Sequence, residues 1–290
     1  MQALVKTRAG LELLDLSCPR PGNGSQVLIS VRAAGICRMD VYAAQGRIPV
    51  PEPLILGHEF SGIIADVGAN GFSPGERVAV DPGLPGQNFL GLNRDGAFAD
   101  YVLVPASALY ALPAQLSFLE GAYLEPVAAV LGILKTGIDP KGRGLIYGDN
   151  RIARLIARVL QCRGFDSLDQ AAADQADRLE QDAYDFVIES HLEENTVSAL
   201  LRALRPGGKM ILRSRFHARV YLPLQQAIEK EVTFHAAGSG SFAEAIAMLA
   251  KRELVLNDLL GTCYGLHDFQ TAFDQAARNE SQKSFFVFPN

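Results

Sequence analysis

The sequence predicts an α/β protein in two parts: a mostly-β domain, then a parallel sheet with crossover helices. Length is the first observation. A chain of 290 residues, 48% of them apolar, is long for one core and suits two domains. Second, residues 1–110 break into short strand-like runs separated by Pro and Gly. Third, from residue 144 onward, short apolar runs alternate with helical stretches, the pattern of parallel strands joined by crossovers.

Residues 1–6 read as a first strand and lack the charged region and apolar run of a secretion signal. Pro19, Pro21, Gly22 and Gly24 break the chain before residues 26–33, the clearest strand. Residues 38–45 fit a short helix ended near Gly46. A Pro-rich loop at 49–53 leads into residues 57–68, where Gly57-His58-Glu59 opens a β-branched strand. Pro74-Gly75-Glu76 is a turn, and residues 77–80 and 97–104 are strands. Ser117-Phe118-Leu119-Glu120 has the spacing of a capping box, so helical character begins there and runs to Leu134. Gly137 and Pro140 mark a hinge. Residues 144–148 then form a buried strand, 152–162 a helix, 185–189 a strand, 194–204 a helix and 209–212 a third strand. Arg205-Pro206-Gly207-Gly208 has the look of a phosphate loop but reads as a helix stop. Helices at 242–252 and 269–277 and a strand at 284–288 complete the chain, and residues 171–182 are polar and Ala-rich.

A net charge of −5 without a basic stripe argues against a general nucleic-acid binder. No apolar run is long enough to cross a bilayer. Cys18, Cys37, Cys162 and Cys263 are scattered without paired spacing, which fits the reducing cytoplasm.

The residues that carry chemistry sit in two short stretches, Gly35-Ile36-Cys37-Arg38-Met39-Asp40 and Gly57-His58-Glu59. A thiol, an imidazole and nearby carboxylates are the ligand set zinc takes when one position stays open for substrate. Cys37 would bind as thiolate, His58 through a neutral ring nitrogen, and Glu59 or Glu125 through a carboxylate oxygen. Singly, Cys37 is as well explained as a small buried apolar residue, His58 as a hydrogen-bonded core histidine, and Glu125 as a solvated helix glutamate. The combination favours a metal. His191, His217, His235 and His267 lack ligand-like spacing and read as surface or packing residues.

On Gly-Ile-Cys, Gly-His-Glu and the Leu124-Glu125-Pro126 segment, the chain resembles the zinc-dependent medium-chain alcohol dehydrogenases, a family that includes alcohol, sorbitol and threonine dehydrogenases. The likeness spans nearly the whole chain. It implies a GroES-like, mostly-β catalytic domain at 1–140 and 263–290, with a Rossmann-type nucleotide domain of reduced size at 141–262. It also implies metal ligands Cys37, His58 and, in the sorbitol and threonine dehydrogenase style, Glu125, with Glu59 as ligand or exchange partner. Asp40 would orient the metal histidine, so the catalytic group is Cys37, Asp40, His58 and Glu59. Residues 81–90 lack the cysteines that hold a second, structural zinc in relatives, so one catalytic zinc is expected. Met39 and Tyr42 stand where relatives pass a proton; methionine cannot, and an ordinary phenol does so poorly.

The dinucleotide fingerprint departs from the family too. Gly148-Asp149-Asn150-Arg151-Ile152-Ala153 keeps the first glycine, but Asn150 replaces the one that lets the backbone approach pyrophosphate. Asparagine tolerates left-handed backbone angles, yet its side chain takes space. Gly148, Asp149, Asn150 and Arg151 are the expected NAD or NADP contacts. Arg38 is either a pyrophosphate contact or a surface arginine. One strand-helix unit after Gly164 looks lost or shrunken, leaving Asp166 and Asp169 as either ribose contacts or solvated surface acids.

The resemblance implies a zinc-dependent oxidoreductase that moves a hydride between an alcohol or carbonyl and NAD(P)(H). Tyr42, Phe89 and Leu92 are candidate pocket residues, and a homodimer is expected by family analogy. Two alternatives stand beside it: a zinc lyase or isomerase without redox chemistry, and a non-catalytic binding member of the same family.

Overall fold

The computed structural model describes residues 1–22, 26–67, 72–193, 196–214 and 220–289. The chain forms two compact units, Met1–Glu125 with Ala245–Asn290, and Pro126–Glu244. The sequence alone suggests different limits, 1–140 with 263–290, and 141–262. The units change over inside helices Leu124–Leu131 and Phe242–Ala250, where composition gives no break.

In the first unit a seven-stranded sheet is built on strand Gln26–Gly35. On one side Gln26–Gly35 pairs antiparallel with Glu59–Val67, which pairs with Arg77–Val80, which pairs with Leu109–Ala111. On the other it pairs with Lys283–Val287, which runs parallel to Leu260–Tyr264. Tyr101–Pro105 also pairs with it. The C-terminal strand therefore completes the first unit. Alternating apolar positions give a core that includes Leu4, Ile29, Phe60, Phe98 and Phe286. Phe98 and Phe286 pack edge-to-face with ring centroids 5.0 Å apart.

The capping box forms as the spacing predicts: Ser117 Oγ accepts from Glu120 N at 3.1 Å, and Glu120 Oε2 accepts from Ser117 N at 2.7 Å. The helical run it opens is not continuous to Leu134. Helix Phe118–Ala122 stops at Tyr123, and a new helix starts at Leu124. Pro126 supplies the reason, because proline lacks an N–H and is tolerated only in a first turn.

The second unit is a parallel sheet in the order Leu168–Ala171, Gly144–Tyr147, Tyr184–Glu189, Leu204–Leu212, Thr233–Ala236. Its core includes Leu145, Tyr147, Val187, Leu200 and Met210. The segment after Gly164 is shortened but its strand survives. Leu168–Ala171 pairs with Gly144–Tyr147, and the 3-10 turn Ala173–Arg178 then leads toward strand Tyr184–Glu189. The helix Thr196–Ala203 passes straight into strand Leu204–Leu212. Arg205 to Gly208 forms an irregularity in that strand, since Tyr184 faces Leu204 while Phe186 faces Lys209.

Candidate metal centre

Sheet register brings the two chemical stretches together. Gly35 pairs with Glu59, so the chain beyond Gly35 and the chain before Glu59 emerge at the same end of the sheet. Cys37 lies two residues past the first point, at the N-cap of helix Arg38–Ala44, and His58 immediately precedes the second. Gly57 makes the approach possible. Its φ is +95°, and a Cβ there would lie 2.4 Å from the Phe98 ring.

One ligand atom each from Cys37, His58 and Glu59 lies within 4.8 Å of the others. His58 and Glu59 are buried and Cys37 is half-buried. Asp40, fully buried, braces both sides of this group. Its Oδ2 accepts from Cys37 N at 2.8 Å and its Oδ1 from Gly57 N at 3.2 Å. His58 Nδ1 lies 3.4 Å from the same Oδ1, and Nε2 lies 3.9 Å from Glu59 Oε1. The ring thus presents one nitrogen to Asp40 and the other to the ligand group, the arrangement that fixes a metal histidine. Burial opposes a charged ring, but Asp40 and Cys37 outweigh it and hold the His58 pKa well above its ordinary value. A metal ion on Nε2 would take the place of that proton.

Glu59 has a further partner that the sequence does not reveal. Its Oε2 forms an ion pair with Lys283 Nζ, and both side chains are 1% exposed. Gly35 makes room for the pair: a Cβ there would lie 2.9 Å from both Glu59 Oε2 and Lys283 Cδ. The one sequence signal is a lysine opening an apolar strand. As a thiolate, Cys37 joins Asp40 and Glu59 as a third anion against one ammonium, and a divalent cation would balance the set. The donor types, the spacing and this charge balance all fit zinc.

The other expected residues divide. Glu125 stands outside the cluster, half-buried in the first turn of helix Leu124–Leu131. Arg38 is tied within the first unit, its guanidinium pairing with Glu280 and donating to the Ala277 carbonyl at 3.0 Å. Phe89 meets the His58 ring edge-on, with centroids 5.4 Å apart. Tyr42 lies under the Arg47 guanidinium, 4.2 Å from ring to carbon. A cavity of about 450 Å³ in the first unit, lined by Leu16, Gln26, Arg94, Asp95 and Tyr101 among others, includes none of the ligand group.

In the second unit Gly148 makes a tight turn at φ +121° after strand Gly144–Tyr147, as the fingerprint requires. Asp149 is exposed, while Asn150 and Arg151 are each 7% exposed. The ribose candidates do not fit. Asp169 pairs with Arg143 at 2.8 Å, and Asp166 precedes its strand, so both lie toward the N-terminal ends of the strands. Ligands of such sheets bind at the C-terminal ends. His191 lies 3.3 Å from Glu193, His235 is half-buried on a strand, His267 is exposed, and His217 lies outside the described residues.

Known proteins resemble this chain in sequence and in fold. The Alcohol dehydrogenase GroES-like domain family matches residues 23–114. D-xylulose reductase A of Aspergillus niger is 25% identical over 330 aligned positions, covering 94% of this chain and 92% of the relative. A Sinorhizobium meliloti protein described as a zinc-binding dehydrogenase, bound to NADP, superposes with a TM-score of 0.90 at 21% identity, covering 99% of each chain. The 2R,3R-butanediol dehydrogenase of Bacillus subtilis superposes with a TM-score of 0.86 at 22% identity, covering 100% of this chain and 99% of the other. At those identities the two structures establish the fold. Residues 23–114 thus match the alcohol dehydrogenase GroES-like domain, and over nearly its whole length the chain is similar to dehydrogenases and reductases of that kind. Among the described residues no helix is long and apolar enough to cross a membrane.

Proposed function

We propose that this chain is a zinc-dependent oxidoreductase that transfers a hydride between an alcohol or carbonyl substrate and NAD(P)(H). The observation that carries this is the meeting of Cys37, His58 and Glu59 in a buried, anionic pocket braced by Asp40. Cys37 and His58 would hold one zinc per chain, with Glu59 and Glu125 as exchangeable carboxylates. When bound, such a metal acts as a Lewis acid on an alcohol or carbonyl oxygen.

The protein's own residues do the rest. Asp40 holds the Cys37 and Gly57 backbones and aims the imidazole. Lys283 holds one oxygen of Glu59 and leaves the other facing His58. Phe89 covers one edge of the imidazole and gives the substrate side apolar character, with Tyr42 and Leu92 as further pocket residues. The first unit is the catalytic part and the second the nucleotide part, with Gly148, Asp149, Asn150 and Arg151 at the turn that faces the dinucleotide. Cys18, Cys37, Cys162 and Cys263, none in a disulfide among the described residues, support a reducing cytoplasmic setting. A homodimer is the expected assembly.

Metal analysis of purified protein tests the reading. About one zinc per chain is expected, lost in Cys37→Ser and His58→Ala, together with quenching or a shift of NADH fluorescence on binding. Metal-replete protein that shows neither zinc nor nicotinamide binding would end it. A second reading, a zinc lyase or isomerase, draws on Met39 and on the side chain of Asn150 in the nucleotide turn; turnover without nicotinamide would select it.

A further inference from the structure

The turn that should seat the dinucleotide diphosphate already holds a side chain of the protein. Asn150 caps helix Arg151–Gln161, its Oδ1 accepting from Ile152 N at 2.9 Å and from Ala153 N at 3.0 Å. Its Nδ2 donates to the Ser190 carbonyl and to Ser190 Oγ, both at 3.1 Å. Ser190 Oγ in turn donates to the Tyr147 carbonyl at 3.1 Å. The carboxamide uses both lone pairs and both N–H groups. It also ties together the C-terminal ends of strands Gly144–Tyr147 and Tyr184–Glu189, which flank the crevice.

A diphosphate on a turn of this kind is bound by backbone N–H groups of the first helical turn. In this chain two of those donors are committed to Asn150. A glycine at that position would leave them open. The neighbouring strand gives the same message independently. Strand Leu168–Ala171 carries no acid at its C-terminal end: Ala171 and Ala172 stand there, and the first carboxylate beyond is Asp174, off the strand in the 3-10 turn Ala173–Arg178. The strand's one acid, Asp169, is paired with Arg143 at the opposite end.

We propose that Asn150 is an internal stand-in for the diphosphate, and that the chain holds nicotinamide dinucleotides without the adenosine-diphosphate anchor. The proposal rests on the NAD(P)-linked reading and assigns Asn150 as the residue that sets cofactor affinity. Reduced nicotinamide mononucleotide should then bind nearly as well as NADH, and ADP-ribose weakly.

The test titrates the zinc-loaded chain with NADH, reduced nicotinamide mononucleotide and ADP-ribose, by fluorescence and calorimetry, in wild type, Asn150→Gly, Asn150→Ala and Asn150→Asp. Glycine is almost as good a helix cap, so Asn150→Gly should fold; unfolding without ligand checks this, and Asn150→Ala carries the test should it not. Asn150→Gly should bind NADH and ADP-ribose at least about tenfold more tightly, as expected for regained hydrogen bonds to a charged group. Asn150→Asp keeps the cap, adds a negative charge, and should weaken both. Dinucleotide binding that neither Asn150→Gly nor Asn150→Ala changes would overturn the proposal and leave the cofactor reading standing. Wild type binding ADP-ribose as tightly as NADH would do the same. No dinucleotide binding by any of the four zinc-loaded chains would remove the cofactor reading, and this proposal with it.

Discussion

Glu59 and Lys283 face each other above Gly35 as a buried ion pair, each side chain 1% exposed. Burying two charges is favourable only when each has its partner. Lys283 therefore does for the metal-free pocket part of what a cation would do for the loaded one.

Lys283→Met tests this division of labour. It strands the Glu59 carboxylate in the interior and should destabilise the metal-free chain by about 3–5 kcal/mol. Zinc should recover part of the loss, because Glu59 then has a second cation to face. Unfolding midpoints with chelator and with zinc measure both effects. An equal drop in the two conditions would mean that Glu59 does not sense the metal.

Asp40→Asn keeps the shape but removes the charge beside His58 Nδ1. Zinc affinity should fall about 10–100-fold, the usual effect of losing the group that orients a metal histidine. Competition with a chromogenic chelator reads this directly. An affinity unchanged within error would make Asp40 a structural residue alone.

Gly57→Ala should destabilise the first unit. A non-glycine residue at φ +95° is strained, and the new methyl would lie 2.4 Å from the Phe98 ring. The expected cost is on the order of 1–3 kcal/mol for the backbone alone. Because Gly57 sits between Asp40 and His58, zinc content should drop as well. Denaturant midpoints and metal analysis report the two effects separately.

Glu189 gives a pH prediction away from the metal. Its Oε1 accepts from Arg213 N at 2.7 Å and Ser214 N at 3.0 Å, while Oε2 is buried without a hydrogen-bond partner among the described residues. Burial, partly opposed by those N–H groups, pushes its carboxyl from 4.5 up to about 7. Between those values the folded chain binds more protons than the unfolded chain, so stability falls as pH rises. The contribution is complete below the unfolded value and lost as pH passes the folded one. Glu189→Gln should flatten the stability profile between pH 5 and pH 8, a change on the order of 1–3 kcal/mol. A profile as steep as wild type would assign the slope to another group.

The legibility of the chain depends on the range of its interactions. Cys37, Asp40, His58 and Glu59 are readable because each lies in a short motif whose spacing has a chemical reason. Lys283 is not, because its partner lies 224 residues away and only sheet pairing joins them. The capping box at Ser117 is readable because capping is local; the break at Tyr123 is hidden by the apolar run around it, although Pro126 marks the new first turn. Strand Leu168–Ala171 gives little signal, as a four-residue, half-polar edge without alternation. Arg38 suggests a role toward a bound anion, and the fold gives it Glu280 instead.

The origin of Lys283 has a consequence for biosynthesis. The ribosome makes Cys37, Asp40, His58 and Glu59 early and the ammonium that neutralises Glu59 much later. Until residue 283 has emerged, Glu59 lacks its ammonium partner and strand Gln26–Gly35 lacks its neighbour Lys283–Val287. A translation product arrested short of that point should be a substrate for quality control even though every metal-binding side chain is already present.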